Sequence, residues 1–257
     1  MAFEAIKDIV KLALIAACLH LALGYYVRRK LPAWSEFLDK RRLSVLLLLI
    51  LAVTAIKVME DVVRRESGPV DETLLRFVHA NVPPALNGFF EAATFTGSDK
   101  VLLLLSTALV AALLIARRRF EATLVAVSVT GAGAVVFILK ALVGRARPAL
   151  WETEWYWGSS FPSGHTLAVA ALASSVTICV ARIWPGWRLA AAIIAAVWVL
   201  FVALSRLALG VHWPTDVLAA ACIGVSLPLV AAMALDLLQR RKHPAGADAP
   251  PERPQSS

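Results

Sequence analysis

An all-α, polytopic membrane helical bundle is the fold class this sequence predicts, on three observations. The 257 residues are 59% hydrophobic and 17% charged, with a mean hydropathy of +0.72, too apolar a balance for an ordinary soluble domain. The apolar residues are gathered into runs of roughly 20, the length that crosses a bilayer as a helix. Between the runs, basic clusters alternate with less basic loops, one of them comparatively acidic.

Seven runs qualify as spans, near residues 9–27, 43–59, 101–116, 121–143, 165–184, 188–205 and 217–238. The first also fits a secretory signal peptide, but its leading segment mixes Glu4, Lys7, Asp8 and Lys11 and shows no clear small-x-small cleavage site, so a retained helix is the expectation. Arg28, Arg29, Lys30, Lys40, Arg41 and Arg42 flank the gap after it, Arg117 to Arg119 fill the next alternate gap, and Arg240, Arg241 and Lys242 follow the last run. By the positive-inside rule these loops are cytoplasmic. Residues 60–100, 144–164 and 206–216 then face outward, as does the amino terminus. The net charge of +8 is topology signal in short clusters, not a stripe along one helix face, so no nucleic-acid partner is expected. The expected organisation is residues 1–42 as a helix plus basic loop, 43–238 as the membrane domain with 60–100 as an outer amphipathic segment, and 239–257 as a disordered tail. Cys18, Cys179 and Cys222 all lie in apolar runs, where they act as small hydrophobes without ligand or disulfide spacing.

In such a chain the informative residues are the polar ones at span ends, because placing them near hydrocarbon costs several kcal/mol. Three of the outward junctions carry them. At the first, Lys140 closes the run "AVVFILKALVG", with Arg145 and Arg147 just beyond and Pro148 ending any helix; taken alone, Lys140 also fits a lysine snorkelling at the membrane edge. At the second, "FPSGH" sets Pro162 before a helix start, Ser163 as N-cap, Gly164 where a close approach is wanted, and His165 at the head of the run. A helix amino terminus attracts anions, although Ser-Gly alone also fits a plain cap. At the third, "LSRLALGVHWPTD" gives Ser205, Arg206, His212 and Asp216, with the carboxylate within reach of the imidazole to fix its tautomer.

Cations, a helix amino terminus, two histidines and one orienting aspartate on one side of the membrane suit phosphoryl transfer. Charge on the phosphoryl oxygens calls for Lys, Arg and N–H donors, and in-line displacement calls for a nucleophile on one side and a proton donor on the other. A metal site would want several carboxylates; besides Asp216 only Glu152 and Glu154 are near, so neither metal nor other cofactor is expected.

K-x6-RP at Lys140 to Pro148, PSGH at Pro162 to His165 and SR-x5-H-x3-D at Ser205 to Asp216 resemble the three signature motifs of the type 2 phosphatidic acid phosphatase (PAP2) superfamily. The resemblance covers about residues 95–238 and leaves the first span outside a six-helix core. It implies that His212 attacks phosphorus to form a phosphohistidine, that Asp216 orients it, and that His165 protonates the leaving lipid oxygen and then activates water. It also implies that Lys140, Arg147 and Arg206 clamp the phosphate, helped by Ser163 and the Gly164 N–H. Which histidine attacks rests on the resemblance alone. The implied activity is that of a bacterial inner-membrane lipid phosphatase with an outward site, acting on undecaprenyl pyrophosphate, phosphatidylglycerol phosphate, phosphatidic acid or a lipid A phosphate. A phosphotransferase with a second lipid as acceptor is the alternative. A haloperoxidase relative is soluble, which this chain is not, and a non-catalytic member would lack one histidine. Trp151, Trp155, Tyr156, Trp157 and Trp213 near the site suit an interfacial belt or substrate contact. Residues 71–95, after a possible Asp71 cap, suit a surface lid. Oligomeric state is not legible.

Overall fold

The runs of apolar residues become helices because a bilayer leaves backbone N–H and C=O groups no partner outside the segment itself. A computed structural model describes residues 2–31, 34–151 and 158–242. Its helices are α1 (Ala2–Lys30), α2 (Ser35–Lys40), α3 (Arg42–Val63), α4 (Gly68–Asn81), α5 (Asn87–Thr96), α6 (Asp99–Ile115), α7 (Arg119–Val143), α8 (Gly164–Ile183), α9 (Arg188–Ala208) and α10 (Pro214–Lys242). Among the described residues six helices are long and apolar enough to cross a membrane. The expected third span coincides with α6, whose 17 residues count as a seventh span when taken together with the preceding segment Pro84–Thr96, from which it bends by 45°. The bend falls at Gly97 and Ser98, where Gly97 sits so close to Val202 that a Cβ would lie 2.9 Å from its Cγ1.

Helix α8 is the centre of the bundle, packed against α7, α9 and α10. Its residues Leu167, Val169, Ala170 and Ala171 are fully buried, so apolar side chains surround it on most faces. Small residues bring α8 and α10 together, as helix contacts in a membrane require. A Cβ added at Gly224 would lie 2.5 Å from the Leu167 carbonyl oxygen and 2.6 Å from the Ala170 Cβ. Gly224→Ala is therefore expected to push the two helices apart and cost about 1–3 kcal/mol of stability. Thermal unfolding in detergent checks this, and an unchanged melting temperature would deny the close packing.

At one end of the bundle, two buried carboxylates and two partly exposed arginines tie α3, α7, α8 and α10 together. Arg41 and Arg182 both pair with Asp236, Arg182 at 3.2 Å, and Arg182 also lies 3.7 Å from Glu121 and stacks over Phe120. This is the end carrying the basic clusters. Residues 239–242, expected in a disordered tail, continue α10, which runs to Lys242; residues 243–257 lie outside the described residues.

The opposite end is covered by α4 and α5. Here α4 packs on α9 and α10, and α5 on α9. Asp71 is not the cap of this segment: Ser67 holds that position in α4, and Asp71 is fully buried and faces the bundle. The physical reason is that Asp71 has cationic and N–H partners inside, described below. Helix α1 lies along α3 with Ala16 and Val27 buried.

Candidate active site

Three junctions meet at the α4–α5 end. Helix α7 stops at Val143 because Gly144 adopts a left-handed φ of 60°, which glycine tolerates without strain. The chain then runs past the loop that leads into α8. Arg145 N–H donates to Ser159 Oγ at 3.0 Å, Ser160 N–H donates to the Arg145 carbonyl at 2.8 Å, and Ser160 Oγ donates to the Ala146 carbonyl at 3.1 Å. Ser163 N–H donates to the Asp216 carbonyl at 3.2 Å, joining the starts of α8 and α10. Trp213 Nε1–H donates to the Ala146 carbonyl at 2.9 Å, closing the ring of loops.

The result is one cavity of about 480 Å³ lined by Lys140, Arg147, Gly164, His165, Arg206 and His212, together with Asp99 from the start of α6. Arg206 is 1% exposed, and its Nη1 donates to Thr94 Oγ1 on α5. Arg147 Nη1 donates to the Val211 carbonyl at 2.9 Å and lies 3.3 Å from His212 Nε2. Both guanidinium groups are thus held from behind by the protein, which presents them to the cavity without much reorganisation.

His212 is 2% exposed and Asp216 is fully buried. The ring Nδ1 faces Asp216 Oδ2 at 3.4 Å, and the same oxygen accepts the Trp213 N–H at 3.0 Å. With Nδ1–H on the carboxylate side, Nε2 carries the lone pair and points to Arg147 and the cavity. Burial pushes the His212 imidazolium down to about 4 from the usual 6.5; the Asp216 hydrogen bond opposes this, and Arg206 and Arg147 add to it. At pH 7 the ring is neutral, the form a nucleophile needs.

Residues 121–238 match the family model described as PAP2 superfamily. That stretch is a little under half of the chain, and over it the sequence resembles that superfamily. Over 81 residues it is 41% identical to phosphatidylglycerophosphatase B of Escherichia coli K12, and equally to the protein of that name in Shigella flexneri. That match spans 32% of this chain and 30% of the length of those relatives. Among solved structures, a transmembrane PAP2-type phosphatidylglycerolphosphate phosphatase from Bacillus subtilis superposes with a TM-score of 0.62 at 24% identity, covering 77% of this chain and 96% of that one. LpxE from Aquifex aeolicus superposes with a TM-score of 0.52, also at 24% identity, covering 63% and 94%. These likenesses establish a shared helical membrane fold.

The PAP2 motif residues Lys140, Arg147, Gly164, His165, Arg206 and His212 line the one cavity, with Asp216 directly behind His212. Ser163 is set at the start of α8. It occupies the N-cap position of α8, but its side chain makes no cap bond to the backbone; it is fully buried, and its Oγ lies 3.1 Å from Thr166 Oγ1. Its hydroxyl packs the helix start, and Gly164 is the residue exposed to the cavity. Of the aromatic cluster, Trp151 stacks on His79 at 3.9 Å and Trp213 serves the loop ring. Trp155, Tyr156 and Trp157, with Glu152 and Glu154, lie outside the described residues.

Four participants were missed from the sequence: Thr94, Asp99, Asp71 and the partnership of Arg145. Thr94 and Asp99 come from α5 and α6, ahead of the motifs, and nothing in their local sequence distinguishes them. Arg145 stands two residues from Arg147, and its spacing could not say which of the two faces the cavity. On the outer side lies a second cavity of about 520 Å³, walled by Asn81, Asn87, Glu91, Thr94, Trp151 and Val211 among others. It shares Thr94 and Val211 with the supports of Arg206 and Arg147.

Proposed function

We propose that this PAP2 protein is an integral membrane lipid phosphatase that works through a phosphohistidine on His212, with no metal. The observation supporting it most directly is the convergence on one cavity of three cations and two histidines, one of them backed by Asp216.

His212 Nε2 uses its lone pair to attack phosphorus, and the bond from phosphorus to the lipid oxygen breaks. His165 gives that oxygen its proton. Water then loses a proton to His165 and attacks the phosphohistidine, the P–N bond breaks, and inorganic phosphate leaves. Asp216 stabilises the charge that His212 carries between the steps. Lys140, Arg147, Arg206 and the N–H groups at the start of α8 hold the phosphoryl oxygens. A cavity lined mainly by cations and imidazoles, with Asp99 as its carboxylate, is poorly suited to a hard divalent ion, which takes oxygen ligands.

The site faces away from the basic end of the bundle, which supports a periplasmic or exterior orientation by the positive-inside rule. Phosphatidylglycerol phosphate stands first among candidate substrates, supported by the names of the E. coli and B. subtilis proteins. Undecaprenyl pyrophosphate, phosphatidic acid and lipid A phosphate follow. The second cavity, whose wall has no Lys or Arg among the described residues, offers room for an uncharged part of the head group.

Detergent-purified protein incubated with this panel is expected to release inorganic phosphate from at least one lipid, at the same rate with excess EDTA. Activity abolished by chelation would overturn metal independence. Transfer of label between lipids with no phosphate release would replace hydrolysis by phosphotransfer.

A further inference from the structure

Outside the cavity lies a buried network that the motif residues do not account for. Arg145 Nη2 donates to Asp71 Oδ2 at 2.5 Å and to Ser67 Oγ at 3.1 Å. Arg145 Nη1 donates to Asp216 Oδ1 at 2.6 Å and to Thr215 Oγ1 at 2.8 Å. Asp71 also accepts from the Thr215 N–H at 2.9 Å and from Thr215 Oγ1 at 2.7 Å. Both carboxylates are fully buried, and the Arg145 side chain is 14% exposed. Asp71 lies on α4, ahead of the region matched by the family model, and 74 residues separate it from Arg145.

We propose that Asp71 and Arg145 are positioning residues for His212: Asp71 fixes Arg145 and the start of α10, Arg145 occupies one oxygen of Asp216, and the other oxygen is left to the imidazole. This rests on His212 being the nucleophile. The Arg145 bond on Oδ1 and the Trp213 N–H on Oδ2 determine the rotation of the carboxylate, and so the direction of the ring. Arg145 also draws on the charge of Asp216, which limits how strongly that carboxylate can stabilise a protonated His212 before substrate binds. Such supporting contacts are oriented as firmly as the groups they serve. A buried Arg with two carboxylates is otherwise a weak source of stability, because desolvation offsets much of the attraction.

Charged or titratable groups around His212 come from every neighbouring element: Asp216 on α10, Arg147 after α7, Lys140 on α7, His165 on α8, Arg206 on α9 and Asp99 on α6, with Arg145 and Asp71 acting through Asp216. Removing Arg145 leaves the full negative charge of Asp216 to the imidazole, which favours the imidazolium. The acid limb of kcat/KM then moves to higher pH.

The test compares wild type, Arg145→Gln, Arg145→Lys, Asp71→Asn and His212→Ala on one lipid phosphate from pH 4 to 8, with folding followed by size exclusion in detergent. Arg145→Gln is expected to lower kcat about 10- to 100-fold, by analogy with orienting partners elsewhere, to change KM far less, and to shift the acid limb upward. Arg145→Lys, which keeps the charge but not the two-armed fork, retains the wild-type limb with reduced kcat. Asp71→Asn loses kcat without an upward shift, because Arg145 then stays on Asp216. A purely structural network lowers the yield of folded protein without moving the limb. If Arg145→Gln does not fold, the Lys and Asn variants decide: wild-type kcat in both overturns the proposal. Unchanged kcat and pH profile in Arg145→Gln with an inactive His212→Ala also overturns it, while leaving the phosphatase reading intact. An active His212→Ala sinks that reading itself.

Discussion

Arg206→Ala is expected to cost nearly as much activity as His212→Ala, a loss of about 10³-fold or more in kcat, although both histidines remain. Hydrolysis of a phosphate monoester is among the slowest reactions known and needs accelerations up to about 10²¹. Proton transfer by a placed side chain contributes typically 10²–10⁴, so most of the effect must come from stabilising the phosphoryl group and from covalent catalysis. A single arginine on a transferring phosphoryl group is worth about 10³–10⁵. Arg206 is the cation best placed for this: almost wholly buried, anchored through Thr94 and open to the cavity. Arg206→Lys should recover only part of the loss, since an ammonium cannot reproduce the planar fork. Steady-state turnover on a lipid phosphate checks this, with size exclusion to confirm folding. Near wild-type turnover in Arg206→Ala would refute the importance given to the cation cradle.

The second large effect concerns His165. Its value as an acid depends on how poor the leaving group is. A lipid alcohol leaves as an alkoxide unless it is protonated, so His165→Ala should lower the rate on a lipid phosphate by about 10²–10⁴. A nitrophenolate leaves without help. On p-nitrophenyl phosphate the same variant should release one equivalent of nitrophenol in a burst close to the wild-type rate and then stall, because water has lost its base. Rapid mixing with absorbance detection separates the two steps. An equal loss on both substrates, with no burst, would remove His165 from the role of acid.

Much of this site was legible because its residues are chemically out of place. Lys140, His165, Arg206, His212 and Asp216 sit at the ends of apolar runs, where hydrocarbon makes polar groups expensive. Order along the chain brings them together, since a helix that leaves the outer end returns to it one span later. The long helices were legible by length and hydropathy, α6 among them; the bend at Gly97 that joins it to the helical segment before it was not. Asp71 could not be read. Its local pattern, an acid early in an amphipathic helix, suits a cap as well as a buried ion pair, and only the packing of α4 against α10 brings it to Arg145 and Thr215. Ser163 was legible as the N-cap position of α8, whereas the pairing of its hydroxyl with Thr166 one turn later was not.

The most direct measurement of the central claim is chemical trapping of the intermediate. Protein is mixed for a short time with ³²P-labelled lipid phosphate, denatured in base and digested, using His165→Ala to slow hydrolysis of the covalent species. The expected label is stable in base, lost in acid and located on the peptide containing His212, and it is absent from His212→Ala. Label that persists in His212→Ala, or phosphate release from wild type with no labelled protein in the trapping variant at any time, would contradict a phosphohistidine at His212.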